Sequence, residues 1–308
     1  MIVVFGSLNM DMMMVLEKLP RPGDTVLCPS YELSPGGKGS NQAVAAAKAG
    51  AEVKLFGRVG EDEFGRILLD SLSKTGVDLV GISKSSDLPT GCATVCVDEL
   101  GENLIIVATG ANLENQQSEI PNFLLAKGTT LLLQMETSVD ENWKLIRRAR
   151  KFGARIMLNL APSDSIPNEI LDCIDVLVMN EREATRLGLH LGFDIISPKI
   201  VAKRVAANFD LTCVVTLGKE GAVACMPEGT WEVGALQGEV VDTTAAGDAF
   251  VGVLAASLDE GIELSIALKR ASIAGSLTCL TKGAQGSLPT LKDIEDNLKN
   301  INIPRRSA

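Results

Sequence analysis

Short apolar runs alternating with stretches of helical periodicity limit the fold more than any other feature of this chain. The runs are Ile2–Phe5, Val53–Phe56, Thr130–Leu133, Arg155–Leu158, Val176–Met179 and Cys213–Leu217. Several lack in-and-out alternation, which is how strands read when both faces of a sheet are covered. Helical patterns lie between them at Asn41–Ala49, Glu63–Lys74, Glu141–Lys151, Glu181–Leu187 and Lys199–Phe209, and the final third adds Gly247–Asp259 and Leu264–Leu280. Gly50, Gly76, Gly153 and Gly188 stand just past helix ends, where a left-handed residue closes the last turn. This alternation predicts one α/β domain over residues 1–308, with a doubly wound, mostly parallel sheet flanked by helices and right-handed crossovers. Aromatic residues are only 4% of the chain, so the core has to rest on Ala, Val, Ile and Leu.

Two stretches break the rhythm. Residues 12–34 carry turn signals, Pro20 and Pro22-Gly23-Asp24, between extended segments. Residues 90–108 read as two strands, Cys92–Val97 and Asn103–Val107, joined by a turn at Asp98–Gly101. Together they predict a small inserted β-sheet. A sheet of that size cannot bury both faces, so it should act as a lid over a site or pair with a second copy of the chain.

Charge and rare residues exclude several functions. The formal net charge is −10 and there is no basic run, which argues against nucleic acid as a partner. The single histidine, His190, sits at a predicted helix end, and no HExxH or His/Cys cluster offers a zinc site. Seven cysteines without a CxxC pair read as buried thiols in a reducing compartment. The chain opens directly on an apolar strand rather than a leader, and no apolar stretch approaches the roughly 20 residues of a membrane span. The expected location is the cytoplasm.

Four segments could carry chemistry. In Asp242-Thr-Thr-Ala-Ala-Gly-Asp248, small residues follow a predicted strand at Glu239–Val241 and open an apolar helix. Ala245, Ala246 and Gly247 let a turn approach a ligand, and their amides at a helix N-terminus would hold a phosphate. Asp248, in the first turn, could then accept a proton from a hydroxyl aimed at that phosphate. The same string also serves as an ordinary tight turn with an acidic helix start. In Pro35-Gly-Gly-Lys-Gly-Ser-Asn-Gln-Ala43, Glu32 and Gly39 stand where a P-loop needs Gly and Ser or Thr. What remains is a glycine-rich turn that, with Asn41, could bond polyol hydroxyls, or simply a flexible cap. Asn9 and Asp11 follow the first strand and offer an amide and a carboxylate for hydroxyls, or an Asx turn. Asn180 and Glu183 open a helix after Val176–Met179; they could hold hydrated magnesium on ATP phosphates, or cap the helix.

Taken together, PGGKGSNQAVAAAKAGA (35–51), VDTTAAGDAF (241–250) and Asn180–Glu183 fall in the order of the ribokinase, or PfkB-type, sugar-kinase family. GSLNMD (6–11), PTGCATV (89–95), TGAN (109–112), LLLQMET (131–137), LNLAPS (158–163), TLGKEGA (216–222) and TKGAQGSLPT (281–290) extend the resemblance nearly end to end. The first two strings are most similar to the ribokinase branch. The resemblance implies Asp248 as catalytic base, with Ala245, Ala246 and Gly247 as the anion hole. It implies Asn9, Asp11, Gly36, Gly37, Lys38, Asn41 and Glu136 as ribose contacts, and Asn180 and Glu183 at magnesium and phosphate. Thr216, Gly218 and Gly221 fall where ATP is held. Asp242, Thr244, Thr278, Thr281, Gly283 and Ser287 match a monovalent-cation site, usually for K+. Gly286 departs from the proline more often found beside that site. The inserted sheet corresponds to the family's lid, which also forms a homodimer contact.

The activity so implied is transfer of the γ-phosphoryl of ATP to the 5-hydroxyl of ribose. A same-fold kinase acting on fructose, a nucleoside such as adenosine or a keto-deoxy sugar acid is the nearest alternative, although a sugar acid would want an arginine in the pocket. A silent sugar-binding protein would be expected only if Asp248 or the glycines were replaced. A dinucleotide oxidoreductase comes last, since no GxGxxG follows the first strand.

Overall fold

The structure, a computed structural model, describes residues 1–99, 103–163, 165–194 and 197–307. Its strands are β1 (Ile2–Phe5), β2 (Asn9–Leu16), β3 (Tyr31–Gly36), β4 (Val53–Gly60), β5 (Asp78–Ser85), β6 (Gly91–Asp98), β7 (Asn103–Ala108) and β8 (Thr130–Leu133). They continue as β9 (Arg155–Asn159), β10 (Val176–Asn180), β11 (Thr212–Thr216), β12 (Ala222–Met226), β13 (Gly229–Val233) and β14 (Arg305–Ser307). The α-helices are α1 (Lys38–Lys48), α2 (Glu63–Leu72), α3 (Val139–Phe152), α4 (Asn168–Leu171), α5 (Glu181–His190), α6 (Pro198–Phe209), α7 (Ala246–Asp259), α8 (Leu264–Thr278) and α9 (Leu291–Asp296).

The large sheet runs β14-β13-β12-β11-β10-β9-β8-β1-β4-β5. From β11 to β5 all neighbours are parallel, and β12, β13 and β14 extend one edge antiparallel. Each central strand serves two cores. On β1, Ile2 and Val4 pack into a core with α1, α7 and α8, while Val3 and Phe5 pack into one with α3, α5 and α6. That is why the run shows no alternation: all four side chains are at most 1% exposed, and full burial stabilises each by about 1.5–3 kcal/mol. Successive strands move one way from β1 through β4 to β5, and the other way from β8 to β11. The order therefore reverses between β1 and β8, and the space beyond their carboxyl ends is where open α/β sheets bind ligands.

A second sheet runs β3-β2-β6-β7, with β2 and β6 parallel and its outer pairs antiparallel. The expected Asp98–Gly101 turn lies partly outside the described residues. Two expectations need correction. Gly188 does not close α5, which continues three residues past Leu187 to His190; the left-handed glycine is Gly192, at φ 72°. Glu239–Val241 is not a strand. Val240 and Val241 are each 61% exposed, and the Val241 amide donates to the Cys279 carbonyl rather than to a ladder partner.

Candidate active site

Three adjoining cavities lie over the strand-order reversal. The first, about 640 Å³, is lined by Asn9, Asp11, Gly37, Lys38, Asn41, Glu136 and Asp248, and roofed by Met13, Val15, Val95, Val97, Ile105 and Val107 of the small sheet. The second, about 570 Å³, contains Thr216, Gly218, Gly221, Ala246 and Gly247 among apolar walls that include Leu236, Val240, Phe250 and Leu280. The third, about 190 Å³, joins them: Lys38, Ala245 and Asp248 line it together with the first cavity, and Thr216 and Gly247 line it together with the second. Asn180 and Glu183 also face this junction.

The backbone explains why these residues meet. Helix α7 starts from Ala245 in a left-handed conformation, φ 60°, with no side-chain cap. A non-glycine residue pays about 1–2 kcal/mol for that. The amides of a helix's first turn lack intrahelical acceptors, so this N-terminus points bare donors at the cavities. The Ala246 amide is taken by Thr243 O at 3.2 Å, which leaves Ala245 and Gly247 as the more open donors of the expected three. Helix α1 starts from Gly37 at φ 94°, where a Cβ would sit 2.7 Å from the Asn9 nitrogen. Gly36 does not line the cavity; it supports it, because a Cβ there would meet the Asp11 carboxylate at 2.0 Å.

The carboxylates differ sharply in their partners. Glu136 Oε2 accepts from Ser7 Oγ at 2.6 Å, the Lys38 amide at 3.0 Å and Asn9 Nδ2 at 3.4 Å. Asn9 is set in turn by Asn112, which donates to its Oδ1 at 2.8 Å. Asp248 is buried and accepts from Asn41 Nδ2 at 3.0 Å and Gln42 Nε2 at 2.9 Å. Burial pushes its carboxyl up, against the pull of Lys38 and the two amides. Asp11 has no hydrogen-bond donor among the described residues, and burial beside Glu136 and Asp248 raises it to about 7. Burial works to lower the Lys38 ammonium, but Asp248, Glu136, Glu183 and Asp11 together hold it above its ordinary value. One cation thus stands between the two larger cavities in a field of carboxylates.

Asn180 and Glu183 form a reciprocal capping box: Asn180 Oδ1 accepts from the Glu183 amide at 2.9 Å, and Glu183 Oε2 from the Asn180 amide at 2.8 Å. Burial raises the Glu183 carboxyl. Of the six residues of the expected cation site, Asp242, Thr244, Gly283 and Ser287 are joined by hydrogen bonds, whereas Thr278, at the end of α8, gives its hydroxyl to Ala274 O at 2.9 Å and meets only Thr281 of the set. Asp242 accepts from the Thr244 amide and hydroxyl and from the Gly283 amide, Ser287 Oγ donates to Gly283 O at 2.6 Å, and the Thr281 amide to Thr278 O at 3.4 Å. Burial works to raise Asp242, and these donors hold it below the ordinary carboxylate range. Asp242 and Thr244 also line the first cavity.

Sequence reasoning did not single out Ser7, Gln42, Gln134 and Asn159 as side chains of the site, although each bonds another polar group of it. The available signal was a polar side chain, Gln42, on an Ala- and Val-rich face of α1, where a surface position and a buried one look alike.

Known proteins match the chain along nearly its whole length. Residues 1–291 match the pfkB family of carbohydrate kinases. A ribokinase of Bacillus subtilis is 33% identical, over 96% of this chain and 99% of its own. Among solved structures, ribokinase from Thermotoga maritima superposes with a TM-score of 0.89 at 31% identity, covering 97% of this chain and 99% of its own. Arabidopsis thaliana ribokinase, solved with ribose and ATP, superposes with a TM-score of 0.86 at 31% identity, covering 97% and 98%. With its cavities at the strand-order reversal and a match along nearly the whole chain, this protein belongs to the pfkB family of carbohydrate kinases.

Proposed function

We propose that the protein transfers the γ-phosphoryl of ATP to the 5-hydroxyl of D-ribose, with Asp248 as general base. The observation that carries this is the junction: Asp248 and the bare N-terminus of α7 stand where a polar cavity meets an apolar one. Ribose fits the polar side. Asn9, Asp11, Lys38, Asn41 and Glu136 supply both donors and acceptors for its hydroxyls, and Glu136 Oε1 takes none of the three donors that converge on Oε2. ATP fits the apolar side, with its phosphates reaching past Gly218 and Gly247 toward the junction.

As the ribose oxygen bonds to the γ-phosphorus, its proton passes to Asp248 and the bond to the β,γ-bridging oxygen breaks, releasing ADP. The Ala245 and Gly247 amides and Lys38 stabilise the charge on the transferring group. Magnesium keeps most of its waters and takes few protein ligands. The residues present fit such an ion: Glu183, whose Oε1 lies outside the capping box, would hold it through a water, and the ion would offset phosphate charge. The Asp242 loop offers a carboxylate, hydroxyls and carbonyls, an oxygen-only set of the kind hard cations favour, and we assign it to K+. Its contacts with Thr244 and Gly283 tie that loop to the turn leading into α7.

The alternative acceptors are weighed by charge. A sugar acid would want an arginine, and none lines the first cavity among the described residues. Arg58 pairs with Glu114 and Glu119, and Arg155 donates to the Leu258 carbonyl at the amino end of β9. The small sheet, with residues 12–34 and 90–108, is proposed as a lid on a single kinase domain and as the homodimer contact. Tyr31, Leu33 and Ile106 expose 41–62% of their surface on the face turned away from the cavity. Seven free thiols suit a reducing compartment such as the cytoplasm. No helix among the described residues is long and apolar enough to cross a membrane.

The test is ADP release with magnesium, with and without K+, across ribose, deoxyribose, fructose, adenosine and no acceptor, for wild type and Asp248→Asn. Turnover that depends on ribose and falls about 10²–10⁴-fold in the variant is expected. Turnover with fructose or adenosine alone would keep the mechanism and replace the substrate.

A further inference from the structure

The base itself is held by a network of buried amides, two of which, Gln42 and Gln134, line none of the three cavities. Asp248 Oδ1 accepts from Gln42 Nε2 at 2.9 Å, and Oδ2 from Asn41 Nδ2 at 3.0 Å. Asn41 lines the first cavity, but Gln42 lines none of the three and is fully buried. The Gln42 amide has one workable orientation. Its Oε1 accepts from Gln134 Nε2 at 2.7 Å, and its Nε2 also donates to Asn159 Oδ1 at 3.0 Å. Asn159 is fixed in turn by donating its Nδ2 to Val178 O at 3.2 Å. Turning the Gln42 amide over would set its oxygen against two acceptor oxygens and its NH2 against a donor. The cost of buried unsatisfied groups forbids that. Gln134 is also fully buried; its backbone carbonyl accepts from Asn142 Nδ2 at 2.7 Å, while its side-chain Oε1 has no hydrogen-bond partner among the described residues.

The chain links the carboxyl ends of β8, β9 and β10 to α1 and then to α7. Helices that pack through Ala45 and Gly252 thereby share one fixed carboxylate. Each carboxylate oxygen has two lone pairs, and one donor on each leaves the others for an acceptor hydroxyl.

We propose that Gln42, its amide locked by Gln134, is a positioning residue that aims the Asp248 carboxylate at the acceptor hydroxyl. This rests on Asp248 being the base. The same donor favours the ionised carboxylate, against burial and against Glu136 and Asp11, and alongside Lys38. Losing it should therefore narrow the pH range in which the base works.

The experiment compares wild type, Gln42→Met, Gln134→Met and Asp248→Asn by steady-state kinetics in ribose and ATP from pH 5.5 to 9, with thermal melting to check folding. For Gln42→Met, kcat should fall about 10–100-fold while both KM values stay within about threefold, since a small misplacement of a catalytic group costs rate rather than binding. Its acidic limb should move to higher pH. Gln134→Met should do the same to a smaller degree, and it carries the test if Gln42→Met does not fold. Wild-type kcat and an unmoved acidic limb in the folded variants would overturn the inference, as would a loss that appears only in KM. Near-wild-type turnover in Asp248→Asn would instead remove the base assignment, a separate failure.

Discussion

Asp11 should make the ligand-free enzyme pay in stability for its sugar site, and Asp11→Asn measures how much. The carboxyl is buried beside Glu136 and Asp248 with no donor of its own, and rises from the ordinary 3.8 to about 7. A carboxyl raised on folding contributes its full stability below the unfolded value and loses it as pH rises through the folded one. At about 1.4 kcal/mol per tenfold change in proton affinity, the ceiling is about 4 kcal/mol. Asp11 is only half-buried by area, and solvent screening reduces this to about 2 kcal/mol. For a chain of this size, that is a melting shift of about 3 °C. Asn fits the same space and carries no charge, so ligand-free Asp11→Asn should melt higher than wild type. The gap should open between pH 4 and pH 7 and be full by pH 8. Ribose hydroxyls supply the missing donors, so wild-type Kd for ribose, followed by calorimetry, should fall about tenfold from pH 6 to pH 8. The variant should bind weakly with no such trend. An Asp11→Asn protein that melts at or below wild type at pH 8, or a gap indifferent to pH, would refute the argument.

Three further outcomes follow from particular contacts. Gly37→Ala puts a Cβ 2.7 Å from the Asn9 nitrogen at φ 94°, so urea denaturation should show a loss of more than about 2 kcal/mol together with weakened ribose binding. Leu33→Lys with Ile106→Lys places two charges on exposed apolar positions of the small sheet, 41% and 62% exposed; if the proposed contact holds, sedimentation should show a dimer for wild type and a monomer for the variant, and equal masses would refute it. Asp242→Asn removes the anion that gathers Thr244 and Gly283; the difference in kcat between K+ and Na+ buffers should vanish, and survival of that difference would place the cation at another site.

How far these arguments could be anticipated depends on what each residue must do locally. Strands β1 and β8 were legible because burial on both faces favours apolar side chains; every residue of the two is buried, and the one polar member, Thr130, donates its hydroxyl to Asp259. Strands β5 and β14, the two edges of the large sheet, escaped, since an edge strand half in water reads like any amphipathic loop; β12 and β13 escaped as well, although β12 lies inside the sheet and is buried from Ala222 to Cys225. Val240-Val241 misled for the converse reason: two adjacent valines spell a strand, yet they stand exposed at the mouths of two cavities. The turns that open α7 and α1 could be read because backbone geometry there favours small residues, as Gly37 demonstrates at φ 94°. Nothing local makes that demand of Gln42 or Gln134. A glutamine is an ordinary helix-surface residue, and only the packing of α1 against α7 turns its position inward. Residues that create room for a ligand therefore mark the sequence, whereas residues that hold the reacting group still are visible only once distant segments have met.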